Sequence, residues 1–169
     1  VSGQRENSAS ILVDLSRQLL ILRQQGQADI SFPVSTAIQG AGEQADSLKT
    51  PRGSHYIRAC IGDGMPSGSV FVGRRPTGEI YSDALAAEYP DRDWILSRIL
   101  WLCGRETGRN RLGRVDSMRR YIYIHGTPDS EPMGVPASHG CIRMRNQDVI
   151  SLFAMVAPGT RVEISEGGS

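Results

Sequence analysis

Residues Tyr121 to Met144 read Y-I-Y-I-H-G-T-P-D-S-E-P-M-G-V-P-A-S-H-G-C-I-R-M. The apolar alternation of Tyr121 to Ile124 predicts a strand that delivers His125 to a sheet edge. A Gly/Pro-rich loop follows, and Ser138-His139-Gly140-Cys141 closes it sixteen residues after His125. Two of the three histidines therefore converge on one cysteine. A thiol needs a neighbouring base or cation to ionise near neutral pH, and backbone donors facing the carbonyl oxygen it attacks. His125 is the candidate base and Cys141 the candidate nucleophile. Gly140 permits the sharp turn that exposes the sulfur and aims backbone N–H groups at an oxyanion.

Working back from this stretch, Ile11, Val13 and Leu15 alternate, and Leu20 and Leu22 resume after Ser16-Arg17-Gln18, which predicts an opening hairpin. Ile30, Phe32 and Val34 predict a third strand, residues 39–54 a loop, and His55 to Ile61 another strand. Val70-Phe71-Val72 is a short strand broken by Arg74 to Gly78, and 64–120 is expected to form a lid-like insertion. Within it, Asp91 is placed to cap a buried helix with Ile95, Ile99 and Leu102 on one stripe and Trp94 and Trp101 on the next. Working forward, Asn146 is the expected N-cap of a helix with Val149, Leu152, Phe153 and Val156 as its apolar face. Pro158-Gly159 stops it before a last strand, Arg161 to Ile164. Many short strands with two helices predict a mostly-β sandwich of mixed sheets.

A chain of 169 residues is long enough for one core, read here as a single domain over 10–165. Residues 1–9 are read as a flexible segment or tag remnant and 166–169 as a flexible tail. The net charge of +1 comes without runs of like charge, which argues against a nucleic-acid track or a basic membrane face. No apolar run reaches the roughly 18 residues a membrane span requires. Cys60 and Cys103 sit in apolar settings and read as buried thiols, so an odd count of three points away from a disulfide framework and towards a reducing compartment.

The spacing of His125, Ser138-His139-Gly140-Cys141, Ile142 and Arg143 resembles the signature of the YkuD-type L,D-transpeptidase family. Pro33 to Thr36, Thr50 to Gly53 and Gly159 to Val162 look like further landmarks of that family. The resemblance implies a YkuD-like fold and acyl transfer on peptidoglycan stem tetrapeptides or muropeptides, without a cofactor. The thiolate would attack the carbonyl of the third, diamino-acid residue and expel the terminal D-alanine. It also implies that the Gly126 carbonyl fixes the His125 tautomer and that His139 has a supporting role beside the sulfur. Arg143, Arg120 and Arg74 are candidates for the carboxylates of the stem, Arg75 and Arg119 are weighed with them, and Ser138 is a loop-bonding residue at the substrate side. His55 has no motif partner and is read as structural.

V-G-R-R-P-T-G-E (72–79) and D-W-I-L-S-R-I-L-W-L (93–102) look like short, leaderless proteobacterial members of the family, a subgroup associated with muropeptide recycling. L,D-carboxypeptidase hydrolysis in the cytoplasm is accordingly the expectation. 3-3 cross-linking by transpeptidation is its alternative, with a periplasmic location if a leader has been removed. Two further classes are a zinc hydrolase using His125, His139 and Cys141, which lacks an evident fourth ligand, and a non-catalytic wall-binding domain.

Overall fold

The computed structural model describes residues 9–167, so residues 1–8 of the expected N-terminal segment and residues 168 and 169 of the tail lie outside it. Strands β1 (Ala9–Asp14), β2 (Leu19–Gln24) and β3 (Ile30–Pro33) form the expected meander. They are followed by β4 (Gly53–Ile61), β5 (Ser69–Val72), β6 (Arg75–Ile80), α1 (Asp83–Glu88), β7 (Ile95–Gly104), β8 (Tyr123–Thr127), β9 (Ile142–Arg145), α2 (Asn146–Met155) and β10 (Arg161–Ser165). A single 3-10 turn, Gly113–Val115, interrupts the long connection between β7 and β8.

All ten strands belong to one mixed sheet. Its order runs β3-β2-β1-β10-β4-β7, where it divides: β8 and β9 continue one path, and the β5-β6 hairpin takes over the β4 side of β7 beyond Ile61. β1 with β10 and β8 with β9 are parallel, and the other pairs are antiparallel. The sheet curls until its ends meet, because Ser35, just past β3, bridges Arg143 of β9 through N–H···O bonds of 2.9 and 2.8 Å. The expected mostly-β, mixed architecture with two helices is the observed one.

Inside the curl, Ile11, Val13, Leu20, Leu22, Ile57, Leu100, Ile124, Ile142, Met144 and Val162 form the main core, which α2 closes with Val149 and Leu152. A second, smaller cluster of Phe71, Ile99 and Tyr123, with Trp101 and Cys141 packed on it, lies on the outer face of β7 and β8.

The expected helix over 91–102 is instead β7, and those of its residues that fall within the expected lid-like insertion are part of the sheet. Leu96 to Leu100 are all buried, as a central strand covered on both faces requires, and such a strand reads as a continuous apolar run. A bulge at Ser97, with φ of 71°, shifts the phase of the side chains midway. β6 starts at Arg75, where the sequence predicted a break, because Gly73 and Arg74 both take positive φ (57° and 64°) and so form the two-residue hairpin turn. The helix α1, not foreseen, is capped by Ser82 Oγ accepting from Leu85 N at 3.1 Å. Arg145, not Asn146, occupies the N-cap of α2, since the Asn146 side chain is committed elsewhere.

Candidate functional site

The site lies where β8 and β9 run parallel, with Ile124 opposite Ile142 and His125 opposite Arg143. Ile124 and Ile142 face the core, so strand alternation puts Tyr123, His125, Cys141 and Arg143 on the outer face. His125 is an interior-strand residue, not an edge one, flanked by Ile99 of β7 and Arg143 of β9. Cys141, one residue before β9, stands diagonally across from it, beside the Ile124–Ile142 pair.

His125 is 1% exposed, and its Nδ1 lies 2.6 Å from the carbonyl oxygen of Gly126. A carbonyl only accepts, so Nδ1 carries the proton and Nε2 keeps its lone pair. Burial depresses the His125 pKa, outweighing the opposing hydrogen bond to Gly126, and the ring is a neutral base. Position 126 has to be glycine, because a β-carbon there would stand 2.5 Å from the Leu96 carbonyl oxygen and 2.7 Å from Asn146 Oδ1.

Cys141 is partly buried; its Sγ donates to Tyr121 O and accepts from Tyr123 N–H, both at 3.4 Å. Burial pushes the thiol up to about 11, with Asp93 adding to the rise and the Tyr123 N–H, Arg143 and Arg120 opposing it. The resting pair is thus a neutral thiol and a neutral imidazole.

Gly140 has φ of 130°, a conformation glycine alone takes easily, and so turns the chain into Cys141. Two hydroxyls hold this turn: Ser138 Oγ donates to Cys141 O at 2.6 Å and Thr50 Oγ1 to Gly140 O at 2.9 Å. The Gly140 N–H points to Ser138 Oγ at 3.3 Å.

Beside the sulfur is a cavity of about 310 Å³ walled by Leu48, Arg119, Arg120, Tyr121, His139 and Cys141 among others. His139 is exposed at its rim. Arg120 is half-buried and knits the 42–49 loop to this wall, donating to Gly42 O, Glu43 O and Lys49 O at 3.3, 3.2 and 2.6 Å. Burial pulls its pKa down, so the guanidinium is a poorly solvated cation facing the thiol.

Of the residues expected to bind carboxylates, Arg120 and Arg119 reach this cavity. Arg143 is instead paired with Asp93 at 3.3 Å and bound to Ala137 O at 3.3 Å, tying the motif loop to the turn before β7. Arg74 lies on the Trp101 ring at 4.2 Å and donates to Tyr123 Oη at 3.0 Å, and Arg75 is exposed in the same hairpin. Ser138 is spent inside the turn. His55, read as structural, is fully buried between Gly53 O (3.0 Å) and Ser117 Oγ (2.8 Å).

Sequence reasoning missed Thr50 as a site residue, although it marked the Thr50 to Gly53 segment. It also missed Asp93 and the buried link from Ser97 Oγ to Asn146 Oδ1 at 2.5 Å, which continues from Asn146 Nδ2 to Thr127 O and Asp129. None of these carries a local signal, since their partners are 17 to 90 residues away.

Among the described residues no three or more His, Cys, Asp or Glu side chains gather where a metal ion would be held, and no helix is long and apolar enough to cross a membrane.

Comparison with known proteins agrees with this geometry. The L,D-transpeptidase catalytic domain family, YkuD, matches residues 8–164. A putative L,D-transpeptidase YkuD of Bacillus licheniformis is 45% identical over 47 residues, 28% of this chain and 28% of that protein. A probable L,D-transpeptidase YbiS of Escherichia coli is 48% identical over 44 residues, 26% of this chain and 14% of that protein. The matched segments thus span under a third of either relative. The fold is shared with an L,D-transpeptidase from Mycobacterium smegmatis, at a TM-score of 0.53 and 15% identity over 94% of this chain and 58% of that one. An Enterococcus faecium L,D-transpeptidase mutant superposes at a TM-score of 0.55 and 17% identity over 94% of this chain and 50% of the other. These relatives come from Gram-positive and Gram-negative bacteria alike, so the likeness is to the family at large and not specifically to its leaderless proteobacterial members. With a family match over nearly its whole length and the matching fold, the chain belongs to the YkuD family of L,D-transpeptidase catalytic domains.

Proposed function

We propose that this chain catalyses acyl transfer on peptidoglycan stem tetrapeptides, with Cys141 as nucleophile and His125 as base, and that an amine resolves the acyl-enzyme to give a 3-3 cross-link. What carries the reading is the placing of a carbonyl-oriented, neutral imidazole diagonally across two parallel strands from the thiol. His125 Nε2 takes the thiol proton as the sulfur bonds to the carbonyl carbon of the third residue. The oxyanion that forms is held by the Cys141 N–H, with the Arg120 cation and the His139 ring at the cavity wall. Collapse breaks the C–N bond, the imidazolium proton goes to the departing D-alanine amine, and a thioester remains on Cys141.

The transferase branch stands ahead of hydrolysis because the curated relatives are named L,D-transpeptidases. It carries with it a location outside the membrane, where the polymer lies. Hydrolysis by water, the carboxypeptidase reaction, is favoured only by the likeness of the 72–79 and 93–102 stretches to recycling members. Incubating the pure protein with a disaccharide tetrapeptide and weighing the products separates the two. A dimer lacking one alanine is expected; a monomer lacking one alanine without dimer replaces cross-linking by hydrolysis, and unchanged substrate removes both.

A further inference from the structure

We propose that Thr50 is a positioning residue for acylation: its hydroxyl holds the Gly140 carbonyl and thereby aims the Cys141 N–H at the oxyanion. This rests on the reading of Cys141 as an acylated nucleophile, and adds a residue that lies outside the motif. Thr50 is fully buried, and its Oγ1 accepts from Ala37 N–H at 3.0 Å while donating to Gly140 O at 2.9 Å. With a lone pair engaged by Ala37, the hydroxyl proton is left for Gly140, so the group is not a free rotor. Thr50 itself is clamped by the facing strand segment, since its N–H donates to Gly40 O at 3.0 Å and its carbonyl accepts from Gly42 N–H at 2.9 Å.

A trans peptide unit is planar, with C=O and N–H pointing in opposite directions. Holding the Gly140 oxygen therefore fixes the direction of the Cys141 N–H. Without a hold, the unit is free to swing, because glycine at φ of 130° offers little steric resistance. The next unit is fixed in the same manner, with Cys141 O receiving the Ser138 hydroxyl at 2.6 Å. Hydroxyls thus anchor the peptide units on both sides of the Cys141 α-carbon. Cys141 and His139 line the cavity, whereas Thr50 is absent from its wall.

Two reagents separate aiming of the N–H from general support of the thiol. p-Nitrophenyl acetate acylates through a tetrahedral oxyanion: the sulfur–carbonyl bond forms, p-nitrophenolate leaves and a thioester results. Iodoacetamide alkylates by displacement of iodide at a saturated carbon and builds no oxyanion. Adducts at Cys141 are quantified by mass spectrometry in the full chain. Thr50→Val is expected to slow acylation by about 10- to 100-fold, as misplacing or losing an oxyanion donor does, with alkylation unchanged within about twofold. Thr50→Ser should restore acylation, and Thr50→Cys, a longer and weaker donor, should fall between. Should Thr50→Val not fold, the ratio of the two rates across Ser and Cys gives the same order. Parallel loss of both rates, or an unchanged ratio in every variant, overturns the proposal. A wild-type Cys141 that is alkylated but takes no acyl group overturns both this inference and the reading on which it rests.

Discussion

His125 and Cys141 are each kept uncharged by burial, which moves their pKa values in opposite directions. A neutral imidazole is therefore present below the ordinary histidine range, and kcat/KM should rise with pH through a value under about 6.5 and then stay level through neutrality. A rise centred above neutrality would count against His125 as the base. His125→Ala should lower the acylation rate by about a hundred-fold or more, and the thiol left behind should ionise unaided, near its raised value of about 11. Cys141→Ala should abolish turnover and move the unfolding free energy by no more than about 1 kcal/mol, measured by urea melts, because the side chain fills little of either cluster. These two residues were legible in the sequence since their motif is local. Thr50 was not, because its hydroxyl meets Gly140 across 90 residues of chain.

Elements deliver these side chains, and β7 does most of that, pairing with β4, β5 and β8. Its apolar run was misread because Ile95, Ile99 and Leu102 fit a helical stripe by coincidence; Leu96, Ser97, Arg98 and Leu100 between them are buried too. Leu100→Ala removes a fully buried side chain from the main core and should cost about 2–5 kcal/mol by the same melts. The β5-β6 hairpin is a contrasting case, with its tip residue Arg74 latched on Trp101 and Tyr123. Arg74→Ala forfeits a half-buried cation–π contact of about 0.5–1 kcal/mol. It should speed amide hydrogen exchange in 69–80 while β7 keeps its protection. Equal exchange in variant and wild type would show that the tip is held by something else. The arginines exemplify what a sequence hides: their charge is visible, but whether it meets carbonyls, rings or carboxylates depends on the folded neighbours.

At the scale of the molecule, β1 and β10 were readable because their burial alternates along most of each strand, and β2 because its apolar run Leu19 to Leu22 sits one turn from β1. The closure of the sheet through Ser35 and Arg143 was not, since backbone bridges leave no mark on residue type. Global stability should respond to pH through His55, whose pKa burial lowers to about 4. A group depressed in the folded state stabilises fully above its unfolded value and loses that contribution as pH falls through the folded one. Melting temperature should accordingly decline between about pH 6.5 and 4, with up to about 3 kcal/mol at stake from this residue; a flat profile there would contradict the buried neutral ring. The outermost strands of the chain, β1 and β10, lie side by side and parallel, Ser10 to Asp14 against Arg161 to Ser165. Tension applied to flanking segments would pull these strands past each other lengthwise, so their cross-strand bonds bear the load together and do not unzip one at a time. A domain tethered at both ends would resist mechanical stretching at this seam.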